Sequence, residues 1–433
     1  MYHRGKSGYS RAREAAVWNG VVPERYPDAI VRVTDRPEVA GLVRDAVGKG
    51  RRIAIRSGGH NWRAAFLRDG ALLLDFGDLD AVEIDAERRV ASVEPGATHR
   101  VLADTLVPLG LGFPIGHCPT VGLGGYLLAG GYGWNPRIWG PACWSVEAVD
   151  AVGLDGEEMR LDESEPDLFW AARGGGGGFP AIATRFHLRV QPLPKIASVR
   201  TDYRLDRLPE LLAWSAGLER MPAGSEISLI AHRPGADGGV TTVQASGFAE
   251  TEASAQGLAA AAADDAPGSG ALLDRRELPE VALNDLEGEG AWVQGRRYAV
   301  DMCWVDDSYE RVGQICERAI REAPSGDSRI VFAWGFAPPG GPEVAQTANG
   351  TLTVNLYAIW DDPAGDRANE DWLRSTMAVL DPLITGFYAG ESDLGVSPDR
   401  PRRCYTPEKW ERLAEIRERF DPERRKFGYL GEE

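Results

Sequence analysis

Several things are missing from this 433-residue chain, and each absence narrows what it can be. Basic residues are in the minority, 48 Lys and Arg against 65 Asp and Glu for a formal charge of −17. A surface this acidic repels nucleic acid and anionic membranes, which favour basic stripes. No run of about eighteen apolar residues occurs, so no segment reads as a membrane-spanning helix. The opening residues, Met1 to Ser7, lead into no apolar signal core, and a cytoplasmic protein is the expectation. Cysteine is scarce. Cys118, Cys143, Cys303, Cys316 and Cys404 form no CxxC pair and no metal-ligand spacing, so neither a disulfide framework nor a metal site is expected, and most should be buried thiols. Also lacking are a GxGxxG opening a helix, a GxxxxGKS/T loop and an HExxH helix, which leaves dinucleotide-binding Rossmann, P-loop and metalloprotease readings without support. No internal repeat is visible, and nothing fixes an oligomeric state.

What remains suits a folded protein acting on a small molecule. Hydrophobic residues make up 43% of the chain, and its length allows one large or two medium cores. Residues 29 to 33 read as a short strand, Asp35-Arg36-Pro37 as a helix start, and Val39, Leu42, Val43, Ala46 and Val47 follow at helical spacing. With strands at 52–56 and 72–74 this is a β-α-β start. Strands at 81–85 and 89–94, a helix at 98–107, a strand at 146–154, a helix at 167–173 and a strand at 182–190 follow. From Gly110 to Trp134 glycine is so dense that irregular backbone wrapped around something is expected. Beyond Gln191-Pro192-Leu193-Pro194 the texture changes. Strands at 198–205, 226–233, 240–249, 297–305, 329–336 and 352–360 alternate with helices at 207–218, 252–264, 308–322 and 367–382, as in an antiparallel sheet backed by helices. The expected class is α+β, with domains at 1–195 and 196–390 and a C-terminal segment, 391–433, returning to the first.

Two short segments carry the chemistry. Arg56-Ser57-Gly58-Gly59-His60-Asn61 ends a strand in a glycine turn, where consecutive N–H groups can converge on a phosphate or pyrophosphate without a lysine. A tight turn with a surface histidine explains the hexapeptide equally well. The second segment runs from Gly116-His117-Cys118-Pro119-Thr120-Val121-Gly122 through Gly125, Tyr126, Gly130, Gly131 and Gly133 to Trp134. It brings a potential thiolate into a second glycine loop, and His117 beside it is a candidate for assisting thiolate formation.

Together the two segments resemble the flavin oxidases of the vanillyl-alcohol oxidase superfamily, with PCMH-type FAD-binding domains, and most closely the berberine-bridge-enzyme-like branch. The likeness spans roughly residues 26 to 192. It continues in the Asp167-to-Phe179 segment and returns at Trp410 to Leu413 and Phe420 to Pro422. The resemblance implies a two-part FAD domain with an inserted substrate domain. It implies FAD attached through His60 to the flavin 8α carbon and through Cys118 to C6, cradled by the glycine loops. Val121 falls where such oxidases keep a modest side chain for oxygen access. The implied reaction removes hydride from an activated C–H, such as a CH–OH carbon, of a bulky sugar, phenolic or other natural product, and reduces O2 to H2O2. A dehydrogenase with another acceptor, or a flavin-less binding protein of this fold, are the alternatives.

There are departures. Gly178 and Pro180 stand where the family has other residues, and of its NYxN element only Tyr388 matches. Tyr388 is the first candidate for catalytic base, on the ground that a phenol with a lowered pKa can take a proton. On the strand at 352–360, alternation puts Thr353, Asn355 and Tyr357 on one face, where Asn355 or Tyr357 could orient substrate or serve only the sheet.

Overall fold

The computed structural model describes residues 1–233, 238–267, 272–286, 292–335 and 337–430. The architecture is mixed α+β. Strands Ala29–Arg32 and Ile53–Arg56 flank Leu72–Asp75 in parallel. The helix Arg36–Gly48 covers them, burying Val39, Ala40, Val43 and Ala46. A strand covered on both faces has no reason to alternate, which is why Leu72 to Leu74 read as an unbroken apolar run. The C-terminal tail docks on the free edge of this sheet. Ile53 N–H donates to the Arg425 carbonyl at 2.7 Å and the Ile53 carbonyl accepts from Phe427 N–H at 2.9 Å, which places Lys426 beside Ile53.

A second, antiparallel sheet orders Val82–Asp85, Val90–Val93, Ile182–Arg189, Val146–Val152 and Glu158–Leu161. The third is an eight-stranded antiparallel sheet in the order Leu272–Leu278, Lys195–Arg204, Val240–Ala249, Ser225–His232, Arg329–Trp334, Leu352–Trp360, Arg297–Val305 and Gly386–Phe387. Helices Leu208–Ser215, Glu252–Asp264, Tyr309–Glu322 and Asp366–Leu380 back one face of it. The opposite face carries Ser228, Ile230, Val331, Asn355 and Met302 toward the two glycine-loop segments.

Three readings of the sequence need correction. Leu123–Ala129 is a regular helix inside the stretch expected to be irregular. Its glycines serve close approach, since a Cβ on Gly124 would stand 2.8 Å from the Pro95 Cβ. Leu272–Leu278 is an edge strand that polar, mostly exposed residues concealed from a hydrophobicity reading. The strand expected to reach residue 336 ends at Trp334, and residue 336, like 431–433 of the tail, lies outside the described residues. Among the described residues no helix is long and apolar enough to cross a membrane.

Candidate active site

A cavity of about 440 Å³ opens between the glycine loops and the exposed face of the large sheet. Its first wall is the turn after Ile53–Arg56. Gly59 has φ of +74°, which glycine adopts without strain. Arg56 holds this turn. Its guanidinium bonds Asp75 Oδ1 at 2.9 Å, the Ala16 carbonyl at 3.0 Å and the Gly58 carbonyl at 3.3 Å. The Ser57 hydroxyl donates to the Pro95 carbonyl. Both side chains are thus committed to the scaffold, and the turn offers the cavity its backbone. The amides of Gly58, Gly59, His60 and Asn61 have no acceptor among the described residues. Consecutive unsatisfied N–H groups on a cavity wall suit an anionic group such as the FAD pyrophosphate.

His60 and Cys118 come together through one hydroxyl. His60 Nε2 lies 3.0 Å from Thr120 Oγ1, which lies 3.4 Å from Cys118 Sγ. Trp18 stacks on the His60 ring at 4.5 Å. Burial, aided by His99 and Arg56, pulls the His60 pKa down to about 3, so the imidazole is neutral and its nitrogen lone pair is available at ordinary pH. His99, at the start of the helix His99–Leu106, was not singled out by the sequence. It is buried, its Nδ1 sits 3.2 Å from the Cys118 carbonyl, and its Nε2 finds no partner among the described residues. A buried orphan nitrogen on the cavity wall is a second sign of a polar occupant. The only sequence signal was Thr98, whose side chain caps that helix through Val101 N–H.

Of the residues expected to hold cofactor, Arg56 to Asn61, Cys118, Val121, Gly122, Gly125, Tyr126 and Gly133 line the cavity. Gly130, Gly131 and Trp134 stand behind that lining. Gly130 and Gly131 have φ of +118° and +76° and shape the turn that follows the helix Leu123–Ala129. Trp134 is buried against the His117 ring, 4.2 Å between centroids. The run Gly174 to Gly178 adds Gly176 and Gly177 to the wall, and Lys426 Nζ donates to the Gly177 carbonyl at 3.2 Å.

The opposite wall comes from the large sheet and the segment after Phe387. Tyr388, Tyr357 and Asn355 all reach the cavity, beside Trp62, Trp292, Trp334, Ile230, Val331 and Met302. Asn355 spends its amide N–H groups on the Val331 carbonyl at 3.1 Å and Thr353 Oγ1 at 2.9 Å. The Tyr388 hydroxyl accepts from Gly131 N–H at 3.0 Å, and burial raises its pKa. Desolvation penalises the phenolate, and the backbone hydrogen bonds to Gly131 and Tyr132 offset it only in part, which runs against the expectation of an activated phenol. Tyr357 donates to Glu391 Oε1 at 2.8 Å, a partner the sequence did not bring forward.

Comparison with known proteins identifies the family. Residues 27–162 match the FAD binding domain family. The chain is 32% identical to the FAD-linked oxidoreductase ptmO of Penicillium ochrochloron over 98% of this chain and 94% of that protein. It is 34% identical to reticuline oxidase of Eschscholzia californica over 47% of this chain and 39% of that one. A structure of a berberine bridge enzyme variant with (S)-reticuline superposes with a TM-score of 0.84 at 21% identity, covering all 100% of this chain and 95% of the other. The chain therefore belongs to the berberine-bridge-enzyme-like FAD-linked oxidoreductases, FAD-dependent enzymes of the PCMH-type fold.

Proposed function

We propose that this enzyme is an oxidase holding FAD through both His60 and Cys118, which removes hydride from a CH–OH or similarly activated carbon of a bulky small molecule and reduces O2 to H2O2. In this reading residues 1–195 and 391–433 hold the cofactor and 196–390 supply the substrate wall. The observation that carries it is the hydroxyl of Thr120 bridging a neutral imidazole and a thiol. These are the two nucleophiles that bonds to the 8α and C6 positions of one flavin ring require. Bound FAD supplies a two-electron acceptor for the substrate hydride. The chain's own part is to hold it by the amides of Gly58 to Asn61, to exclude bulk water with Trp62, Trp292 and Trp334, and to accept the substrate's proton. Val121, small and on the cavity wall, supports access for oxygen.

Two measurements test this. The intact mass of the purified chain should exceed the sequence mass by one FAD, and the yellow colour should stay with acid-precipitated protein; colour released into the supernatant rejects the covalent claim. A screen of alcohols, sugars and phenolics read by peroxide should give turnover. If reduced enzyme meets oxygen in a stopped-flow instrument and stays reduced for minutes, the oxidase assignment fails and a dehydrogenase takes its place.

A further inference from the structure

We infer that Tyr357 and Glu391 act as one proton-accepting pair, in which Tyr357 meets the substrate hydroxyl and Glu391 takes up the proton behind it. The inference rests on the proposed oxidation of an alcohol. As hydride leaves the carbon for the bound FAD, the O–H proton of the substrate passes to Tyr357 Oη. The phenolic proton of Tyr357 passes to the Glu391 carboxylate, and the substrate carbon and oxygen are left doubly bonded. Two electrons leave with the hydride and one proton with the hydroxyl, so the step balances.

Placement favours this pair over the other polar groups of the cavity. Tyr357 belongs to the aromatic cluster that meets His60 through Trp18. Trp18, stacked on His60, touches Trp62 at 5.8 Å between centroids, and Trp62 touches Tyr357 at 6.0 Å. Trp292 closes the other side at 4.8 Å. Glu226 is the other carboxylate on the wall, but it sits at the far end. Tyr357 pairs with Arg329, and Arg329 with His232. Glu226 lies six residues up that strand, about 20 Å away at about 3.3 Å per residue, and accepts from Asn135 N–H. Asn355 is no proton acceptor at neutral pH, and burial makes Tyr388 a poor one.

Glu391 is also held for the task. It rides on a short loop whose other members are tied down. The Ser392 hydroxyl donates to the Met302 carbonyl at 2.6 Å and accepts from Tyr388 N–H at 3.0 Å. Asp393 N–H donates to Asp301 Oδ1 at 3.0 Å, and Asp301 is bound by Arg400 at 3.0 Å. Glu391 is itself partly exposed, so its proton can pass on to water. The charged and titratable groups that face the pair are Arg329, whose guanidinium lies 5.1 Å from the Trp292 ring, Arg63 and Arg374, both on Asp393, and the phenols of Tyr298 and Tyr388. Glu391 acts through Tyr357 and is a positioning residue; Tyr357 is the catalytic one.

The test uses the holoenzyme with 3-fluorotyrosine placed at position 357. Its fluorine resonance is followed against pH in the otherwise native protein, in Glu391→Gln and in Glu391→Asp. The pair predicts an acidic titration step in the native protein, lost in Glu391→Gln and retained in Glu391→Asp. Anaerobic flavin reduction by an alcohol that gives peroxide turnover should slow about 100-fold in Glu391→Gln, the scale of a lost general base. It should also lose its decline at acid pH, and Glu391→Asp should restore both. A fluorine titration indifferent to Glu391→Gln, or an acid limb unchanged in that variant, overturns the pair. Absence of reduction by every alcohol tried sinks the oxidase reading instead, and the fluorine result still decides whether the two side chains share a proton.

Discussion

Gly58 and Gly122 meet backbone to backbone, so closely that a Cβ on Gly58 would lie 2.4 Å from the Gly122 amide nitrogen and one on Gly122 would lie 2.5 Å from that of Gly58. This contact joins the loop of His60 to the loop of Cys118, and it explains both glycines without appeal to unusual backbone angles. A methyl group at position 58 has only backbone to push against, which cannot rotate away. Gly58→Ala should cost about 1–3 kcal/mol, the usual scale for overpacking. It should also separate His60 from Cys118, so the expected outcome is a lower flavin-to-protein absorbance ratio together with a lower melting temperature.

Because His60 and Cys118 contact the same hydroxyl, each can be removed without dismantling the other. His60→Ala should retain FAD through sulfur alone, and Cys118→Ala through the imidazole alone. Intact mass shows one FAD in each single variant and none in the double. A single variant that loses all covalent flavin means that only one bond forms.

How far the sequence reached follows from where each signal lies. The glycine loops were legible because positive φ at Gly59 and the Gly58 to Gly122 contact leave few other residues possible. Asn355 and Tyr357 were legible as sharing one face because strand alternation is rigid. Glu391 was not, since it stands on an irregular turn and reaches Tyr357 across 34 residues. Trp18 likewise comes from an N-terminal segment with no periodicity and finds His60 only in the folded chain. The helix Leu123–Ala129 was missed for another reason. Glycines that a close approach to Pro95 demands look the same in sequence as glycines that break a helix.

The raised pKa of Tyr388 and its bond to Gly131 N–H make it a fixture of the scaffold. Tyr388→Phe should therefore lower the rate of flavin reduction by less than about tenfold, whereas Tyr357→Phe should lower it toward the 10²–10⁴ range of a lost proton acceptor. The reverse ranking in single-turnover measurements would restore Tyr388 as the base.

His99 makes stability depend on acidity. Burial lowers its pKa from 6.5 to about 3. Between those values the unfolded chain binds a proton that the folded chain does not. Its contribution is complete above about pH 6.5 and declines as pH falls, with a slope of about 1.4 kcal/mol per pH unit for one such group. Thermal melts from pH 7 down toward pH 4 should show a falling midpoint, and His99→Gln should make that fall shallower even if its midpoint at pH 7 is lower. Equal slopes would mean that His99 is not held neutral.

Val121 follows Thr120 at the junction of the two loops, lines the cavity, and donates its N–H to the Cys118 carbonyl at 3.3 Å. An added methylene at this position narrows the space through which oxygen must come without touching the hydrogen bonds of Thr120. Val121→Ile should leave flavin content and anaerobic reduction unchanged and slow reoxidation by oxygen about tenfold, equivalent to about 1.4 kcal/mol in the barrier. Stopped-flow mixing of the reduced variant with oxygenated buffer reads the two half-reactions separately. Slowing confined to the oxidative half assigns Val121 to oxygen access, and equal slowing of both halves means that the side chain supports the flavin itself.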